Sequence, residues 1–291
     1  MDSQRPVPYG SRCLPRTIAA VALLTGLLTS AAEAQAPNGR ARDRGSGIPT
    51  SMFGTYIERG EWLLYPFFEY YRDNNLEYSP DEFGHSLDAD FRARYRASEG
   101  LIFIGYGLTD RIAFEMEAAV IRARLTKAPD DVSTMPAVMK ESGLGDVEGE
   151  LRFRWNRETD RTPEVFSYFE TVLPLQKDKQ LIGTQDWEFK FGTGMVRGFS
   201  FGTMTLRAAM EYDAADKNLA LGEMAIEYLR RVNSRLRLYA GVEGNQDEIE
   251  GITEVQWWLG RNVVVKLNNS FGLTSKATDW APEIGVVFRL R

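Results

Sequence analysis

Four charged side chains alternate with apolar ones in one short segment, GLGDVEGELRFRW, at residues 143–155. Glu148, Glu150, Arg152 and Arg154 share one parity, and the opposite parity is apolar and ends in aromatic residues. Because successive side chains of a β-strand point to opposite faces, the pattern predicts a strand with one charged face. Carboxylates and guanidinium groups on such a face can form cross-strand ion pairs or line a water-filled path.

Elements that would hold this charged face recur from residue 61 to the C-terminus. We predict twelve segments with the same alternation, separated in turn by short connections and by longer polar ones. An even number of strands of about ten residues, with short turns at one end, is typical of barrels that cross a bilayer. The prediction is therefore an all-β fold, a transmembrane antiparallel up-and-down β-barrel of about 12 strands, with a soluble β-sandwich as the alternative.

The charged parity of these segments would line the lumen of such a barrel. Its acids and bases are nearly balanced in number, which favours an ion-pair ladder that fills and stiffens a narrow lumen. A selectivity lining is the alternative, because charged rings select ions in many pores. The candidate lumen-lining residues are Glu115, Glu117, Glu148, Glu150, Arg152, Arg154, Glu188, Lys190, Arg207, Glu211, Glu223, Glu227, Arg235, Arg237, Glu254 and Lys266.

The N-terminal residues predict export. Three arginines precede an apolar run at residues 18–32, and Ala32-Glu33-Ala34 fits a cleavage site, so residues 1–34 are predicted to be a secretory signal peptide. Residues 35–60 are predicted to be a flexible periplasmic leader, and residues 61–291 the barrel. The expected location is the outer membrane of a Gram-negative cell envelope.

The composition excludes several other classes of protein. The formal net charge of −6 argues against nucleic acid as a partner. The mean hydropathy of −0.33, with no later apolar run of about 18 residues, argues against a helical membrane protein. Cys13 is the single cysteine and precedes the apolar run, so we expect no disulfide framework in the exported chain. With His85 as the single histidine, we expect no metal site and no cofactor.

Two motifs carry a resemblance to a known family. GLTDR at residues 107–111 matches a Gly-Leu/Val-Thr-Asp/Glu-Arg turn, and SGLGDVEGELRFRW at residues 142–155 matches a later Gly-x-Gly-Asp-Val that enters an alternating strand. In these motifs the chain resembles the MetA-pathway-of-phenol-degradation family of outer-membrane proteins. The resemblance implies an outer-membrane channel or transporter for small, often aromatic compounds.

Three functional classes follow from the predicted barrel. The first is a channel for passive passage of small, aromatic or hydrophobic solutes, since a twelve-stranded barrel is narrower than the general porins. The second is a structural barrel that does not conduct. In either case the expected partners are outer-membrane lipid and lipopolysaccharide, the outer-membrane assembly machinery and, for a channel, a small-molecule solute.

The third class is an outer-membrane lipid hydrolase, which would need a Ser–His pair. His85 and Ser86 are adjacent, so on a strand they would point to opposite faces and could not pair. Ser167 or Ser270 would have to lie near His85 instead. We therefore expect a protein that is not an enzyme, with no catalytic residues.

Overall fold

The computed structural model describes residues 57–214 and 217–291. The predicted signal peptide and most of the predicted leader lie outside these residues. Within the described part, no helix is both long enough and apolar enough to cross a membrane.

Twelve strands account for most of the described chain, and a short 3-10 helix at Pro80–Phe83 follows the first. In chain order the strands are β1 (Trp62–Tyr78), β2 (Phe91–Gly107), β3 (Ile112–Thr126), β4 (Val138–Asn156), β5 (Glu164–Val172), β6 (Glu188–Phe199), β7 (Gly202–Asp213), β8 (Asn218–Arg231), β9 (Leu236–Gly244), β10 (Ile249–Trp258), β11 (Val263–Gly272) and β12 (Ala281–Leu290).

Each strand pairs antiparallel with its neighbours in sequence, and β1 pairs with β12 to close the barrel. The closing register runs from Trp62 opposite Leu290 to Glu69 opposite Glu283. Closure leaves no unpaired sheet edge, so every strand finds backbone partners on both sides. The predicted up-and-down barrel of twelve strands is confirmed.

The two ends of the barrel differ in their connections. Residue 57, the C-terminus and short turns such as residues 108–111 and 200–201 lie at one end, which we call the turn end. Longer connections, at residues 79–90, 127–137 and 173–187, lie at the other end, which we call the loop end. Two strands extend far toward the loop end, because β1 continues to Tyr78 and β4 already begins at Val138.

Large apolar side chains face outward around the barrel. Trp155 of β4, Phe191 of β6 and Ile226 of β8 are each 58% exposed. The charged parity faces the interior, where Arg152 is only 2% exposed. The protein is therefore apolar outside and largely polar inside, the reverse of a soluble β-sandwich.

A β-bulge reverses the alternation within β4. Ala118 of β3 lies opposite Val147, but Val120 lies opposite Leu144, so β4 holds one extra residue in between. Inward residues of β4 are even-numbered below the bulge, as at Glu148, and odd-numbered above it, as at Glu141. A bulge of this kind redirects side chains without interrupting the strand.

Candidate functional site: the lumen of the barrel

Arg152 is the centre of one ion-pair cluster inside the barrel. Its Nη2 lies 3.4 Å from Glu115 Oε2 on β3 and 3.1 Å from Glu150 Oε1 on its own strand. All three side chains are nearly inaccessible to solvent. The guanidinium also lies over the ring of Phe166, 5.2 Å from its centroid. One buried cation thus offsets two carboxylates that the register places directly opposite each other.

Arg207 forms a second cluster across β7, β8 and β9. Its Nη2 lies 2.6 Å from Glu223 Oε1 and 2.9 Å from Glu243 Oε2, and its Nε lies 3.7 Å from Glu227 Oε1. The Arg207 side chain is 1% exposed. Three strands are therefore tied together by one guanidinium group.

Simpler pairs continue the pattern around the wall. Lys190 Nζ lies 2.9 Å from Glu170 Oε1 between β6 and β5. Lys266 Nζ lies 2.8 Å from Glu254 Oε2 between β11 and β10. Near the turn end, Arg154 Nη1 lies 3.7 Å from Glu164 Oε2. These candidate residues thus form ion pairs between neighbouring strands, as in a ladder.

The remaining candidates differ in their surroundings. Glu188 and Glu211 are half-buried near the loop end. Arg237 is buried, and its guanidinium lies 4.7 Å from the centroid of the Trp258 ring. Arg235 does not belong to the lumen wall, because β9 begins at Leu236 and Arg235 is exposed in the preceding turn. Parity alone could not show that the strand starts one residue later.

A cavity of about 470 Å³ occupies the barrel interior. Aromatic and aliphatic side chains form part of its wall, among them Tyr65, Tyr71, Leu101 and Ile121. Of the described residues that line it, one is basic, Lys266. The lining carboxylates are Glu69, Glu99, Glu117, Asp146, Glu148, Glu243, Glu250, Glu254 and Glu283. This cavity is therefore lined mostly by acids, whereas the near balance of acids and bases was predicted for the lumen as a whole.

The acids come together because the register aligns them. Glu283 of β12 lies opposite Glu69 of β1, and Glu69 lies opposite Glu99 of β2. On β3 and β4, Glu117 lies opposite Glu148. Like charges directly opposite each other are destabilising, so this part of the wall attracts positive charge.

Hydrogen bonds hold some of these carboxylates, whereas one has an oxygen without a partner. Glu283 accepts hydrogen bonds from Tyr65 and Asn268, and Glu250 accepts one from Ser270. Oε2 of Glu117 is buried and has no hydrogen-bond partner among the described atoms.

The sequence prediction missed Glu69, Glu99, Asp146, Glu250 and Glu283 of this cavity. β1 obscures Glu69 because aromatic residues occupy both of its parities around Pro66. Glu283 and Arg289 are both odd-numbered residues of β12, so their side chains share one face of the strand. This charged face was the signal that could have identified Glu283.

An apolar segment of the β5–β6 loop covers one side of the cavity. Leu181 and Ile182 pack against inward-facing Ala97 and Ala119 of β2 and β3. Glu141 Oε2 accepts a 2.8 Å hydrogen bond from the Leu181 backbone N–H, which fixes the loop to β4. The loop end of the lumen is therefore narrower and more apolar than the strands alone would make it.

The residues before β1 pack inside the turn end. Ile57 is 1% exposed among inward-facing side chains such as Leu63 and Phe103. The Gly60 N–H donates a 2.8 Å hydrogen bond to the Gly107 carbonyl oxygen. Residues 57–60, assigned from sequence to the flexible leader, are thus fixed to β2. We call this docked segment, residues 57–61, the inner segment.

Glycines and the last strand make room for the inner segment and hold it. A Cβ at Gly105 would overlap Ile57 Cδ1, and a Cβ at Gly107 would overlap the Glu58 carbonyl oxygen. Glu61 is completely buried, and its Oε1 accepts a 2.9 Å hydrogen bond from Arg289 Nε on β12.

The residues considered for hydrolysis lie apart. The His85 Nδ1 lies 3.2 Å from Thr134 Oγ1 in the loops. Ser167 accepts a 2.9 Å hydrogen bond from Trp155 Nε1, and Ser270 donates to Glu250. Neither serine is next to His85, so the described residues provide no Ser–His pair.

Comparison with known proteins supports the fold alone. No protein-family model and no curated protein sequence matches the chain. An outer-membrane channel from Pseudomonas putida F1 is similar in structure, with a TM-score of 0.58 and 13% identity over 81% of this chain and 97% of that chain. The translocator domain of the autotransporter NalP from Neisseria meningitidis has a TM-score of 0.51 and 11% identity, and the match covers 94% of this chain and 98% of that chain. The chain therefore has the fold of an outer-membrane β-barrel.

Proposed function

We propose that the protein is an outer-membrane channel for passive passage of small solutes with apolar or aromatic bodies. The observation that carries the proposal is the cavity of about 470 Å³ in a closed barrel, lined in part by aromatic and aliphatic groups. Its volume lies in the usual range for small-molecule sites. Membership in the MetA-pathway-of-phenol-degradation family, suggested by the two sequence motifs, is part of the same proposal.

The outer wall supports a membrane location. The outward apolar side chains on every side of the barrel would cost free energy in water, about 25 cal/mol for each Å² exposed. In a bilayer the same side chains meet hydrocarbon. We propose that residues 1–34 direct export and that lipid and lipopolysaccharide surround the barrel after insertion by the assembly machinery.

The buried ion pairs support a restricted path instead of a wide pore. The Arg152 and Arg207 side chains are almost inaccessible to solvent, and their clusters take up space that would otherwise be water. A solute that passes must fit the remaining cavity, which favours small compounds. The competing possibility is a structural barrel that does not conduct.

Single-channel recording in planar bilayers tests the proposal. We expect discrete conductance steps that phenol-like solutes reduce in a saturable manner. Absence of steps over the full voltage range would favour the structural barrel. A folded, monodisperse protein in buffer without detergent would contradict the membrane location itself.

A further inference from the structure

Four basic side chains form a row across the outer wall near the loop end. Arg72 of β1 lies opposite Arg96 of β2, Arg96 lies opposite Arg124 of β3, and Arg124 lies opposite Lys140 of β4. All four are exposed. We call them the basic row. Side chains that face each other on antiparallel strands have Cβ atoms about 5 Å apart, and like charges there repel.

No acid in the described part of the chain pairs with this row. Within residues 57–214 and 217–291, none of the four side chains takes part in an ion pair. Arg94 and Arg122 are exposed beside the row and enlarge it. Arg92, one step further along β2, does have a partner, Glu77 at 2.6 Å. The arrangement therefore favours an anion other than the carboxylates of the described residues.

The position of the basic row relative to the apolar wall indicates where that anion would lie. On the same strands, Phe68, Val120 and Leu144 face outward and are 49%, 63% and 40% exposed. They belong to one register row, which lies four residues nearer the turn end along each strand. Four residues of a strand span about 13 Å. The outer wall thus changes from apolar to basic over the distance between acyl chains and headgroups.

We propose that the basic row binds the phosphates of a bis-phosphorylated glycolipid headgroup of the lipid A type. This inference rests on the outer-membrane location in the proposed function, with the loop end at the cell surface. Guanidinium groups bind phosphate with two parallel hydrogen bonds, and the row offers three of them. Four strands span about 14 Å, which allows two phosphates to be bound at separate points.

The test compares lipids and variants on the full exported protein in detergent. Binding of lipid A is measured by native mass spectrometry and by the shift in melting temperature. The probes are bis-phosphorylated lipid A, the same lipid without phosphates, phosphatidylglycerol and inorganic pyrophosphate. The variant is Arg96→Gln/Arg124→Gln, and the matched control is Arg111→Gln/Arg261→Gln, which removes two exposed charges from turns at the opposite end.

We expect the row variant to bind lipid A at least about tenfold more weakly, with the control unchanged. Without lipid, the row variant should melt at a higher temperature than the wild type, because repulsion has been removed. This second measurement also shows that the variant is folded. The row variant should thus have the higher melting temperature without lipid A, and the wild type should have the higher one when lipid A is added.

Several results would overturn the proposal. Equal binding of dephosphorylated lipid A would show that contacts with the acyl chains alone account for lipid binding. Equal binding of phosphatidylglycerol would show that the row does not prefer a bis-phosphorylated headgroup. Equal binding of pyrophosphate would show that the row binds free phosphates and does not need a lipid. None of these results depends on conductance, so the channel proposal can fail or stand independently. Solubility in plain buffer would instead remove the membrane location on which both rest.

Discussion

Lys266 Nζ lies 2.8 Å from Glu254 Oε2, and both side chains are at least 96% buried. Glu254 also accepts a 2.7 Å hydrogen bond from Gln256 Nε2, and the Lys266 ammonium lies 4.9 Å from the centroid of the Tyr65 ring. Among the described residues, the one basic group that lines the cavity is thus paired with a carboxylate and lies against an aromatic ring.

Removing the cation of this pair should destabilise the barrel. We expect Lys266→Met to lower the free energy of unfolding by about 3–5 kcal/mol, because a buried carboxylate loses its partner. The double variant Lys266→Met/Glu254→Leu should recover most of this loss, since no unpaired charge remains. Urea titration of the protein refolded into detergent micelles measures both. A double variant as unstable as the single one would show that packing, not charge, accounts for the loss.

The acidic cavity predicts a preference for cations. In a salt gradient, the reversal potential of the wild-type channel should indicate potassium over chloride. Glu99→Gln/Glu117→Gln should reduce the permeability ratio by roughly twofold or more, because these carboxylates line the cavity. Asp160→Asn is the control, because it removes one negative charge from an exposed turn, as each of the two glutamate substitutions does in the cavity. An anion-selective wild-type channel would be incompatible with this electrostatic argument.

The inner segment predicts an effect on conductance. Gly105→Ala should displace Ile57 from the lumen, because the added methyl group overlaps its side chain. We expect larger conductance steps and faster proteolysis near residue 57. Gly260→Ala is the control, because a Cβ there meets no atom within 4 Å. Unchanged conductance with increased proteolysis would mean that Ile57 does not limit the path.

A buried aspartate in the β3–β4 loop predicts acid sensitivity. Burial alone would raise the pKa of Asp131, but hydrogen bonds from Ser133 and Tyr78 and the Lys127 ammonium outweigh burial and hold that pKa below its usual value. A carboxyl with a lowered folded-state pKa stabilises the fold above its unfolded pKa of about 3.9. This contribution is lost as the pH falls through the folded-state pKa.

Hydrogen exchange of residues 127–137 measures this effect. Exchange protection should be constant from about pH 5 to pH 8, after correction for intrinsic rates, and decrease below about pH 4. Asp131→Asn should show lower protection, and this protection should no longer decrease below about pH 4. Protection in the wild type that persists unchanged to pH 2 would contradict the role of Asp131.

Strict alternation made much of the barrel predictable. The period of two identified most strands because lipid-facing and inward-facing environments differ sharply. It placed Glu115 and Arg152 on inward parities, and the structure brings these two side chains together. No pairing of strands had to be guessed, since an up-and-down barrel pairs neighbours in sequence.

Local irregularities explain what the sequence did not predict. Aromatic residues on both parities around Pro66 hid the inward position of Glu69. The end of a turn, and not parity, decides that Arg235 is exposed. Docking of Ile57 depends on contact with Gly105, which is 48 positions away in the chain and leaves no periodic signal. The acid-rich cavity depends on register between strands, which alternation within one strand does not specify.

The bulge in β4 is a place where the strand can lose one residue without turning over. Deleting one of the two residues between Leu144 and Val147 would restore uninterrupted pairing with β3. Lys140 would stay opposite Arg124 on the outer wall, whereas a deletion elsewhere in β4 would turn the residues on one side of it to the opposite face. A deletion scan across β4 should therefore find this position more tolerant than either neighbouring half of the strand.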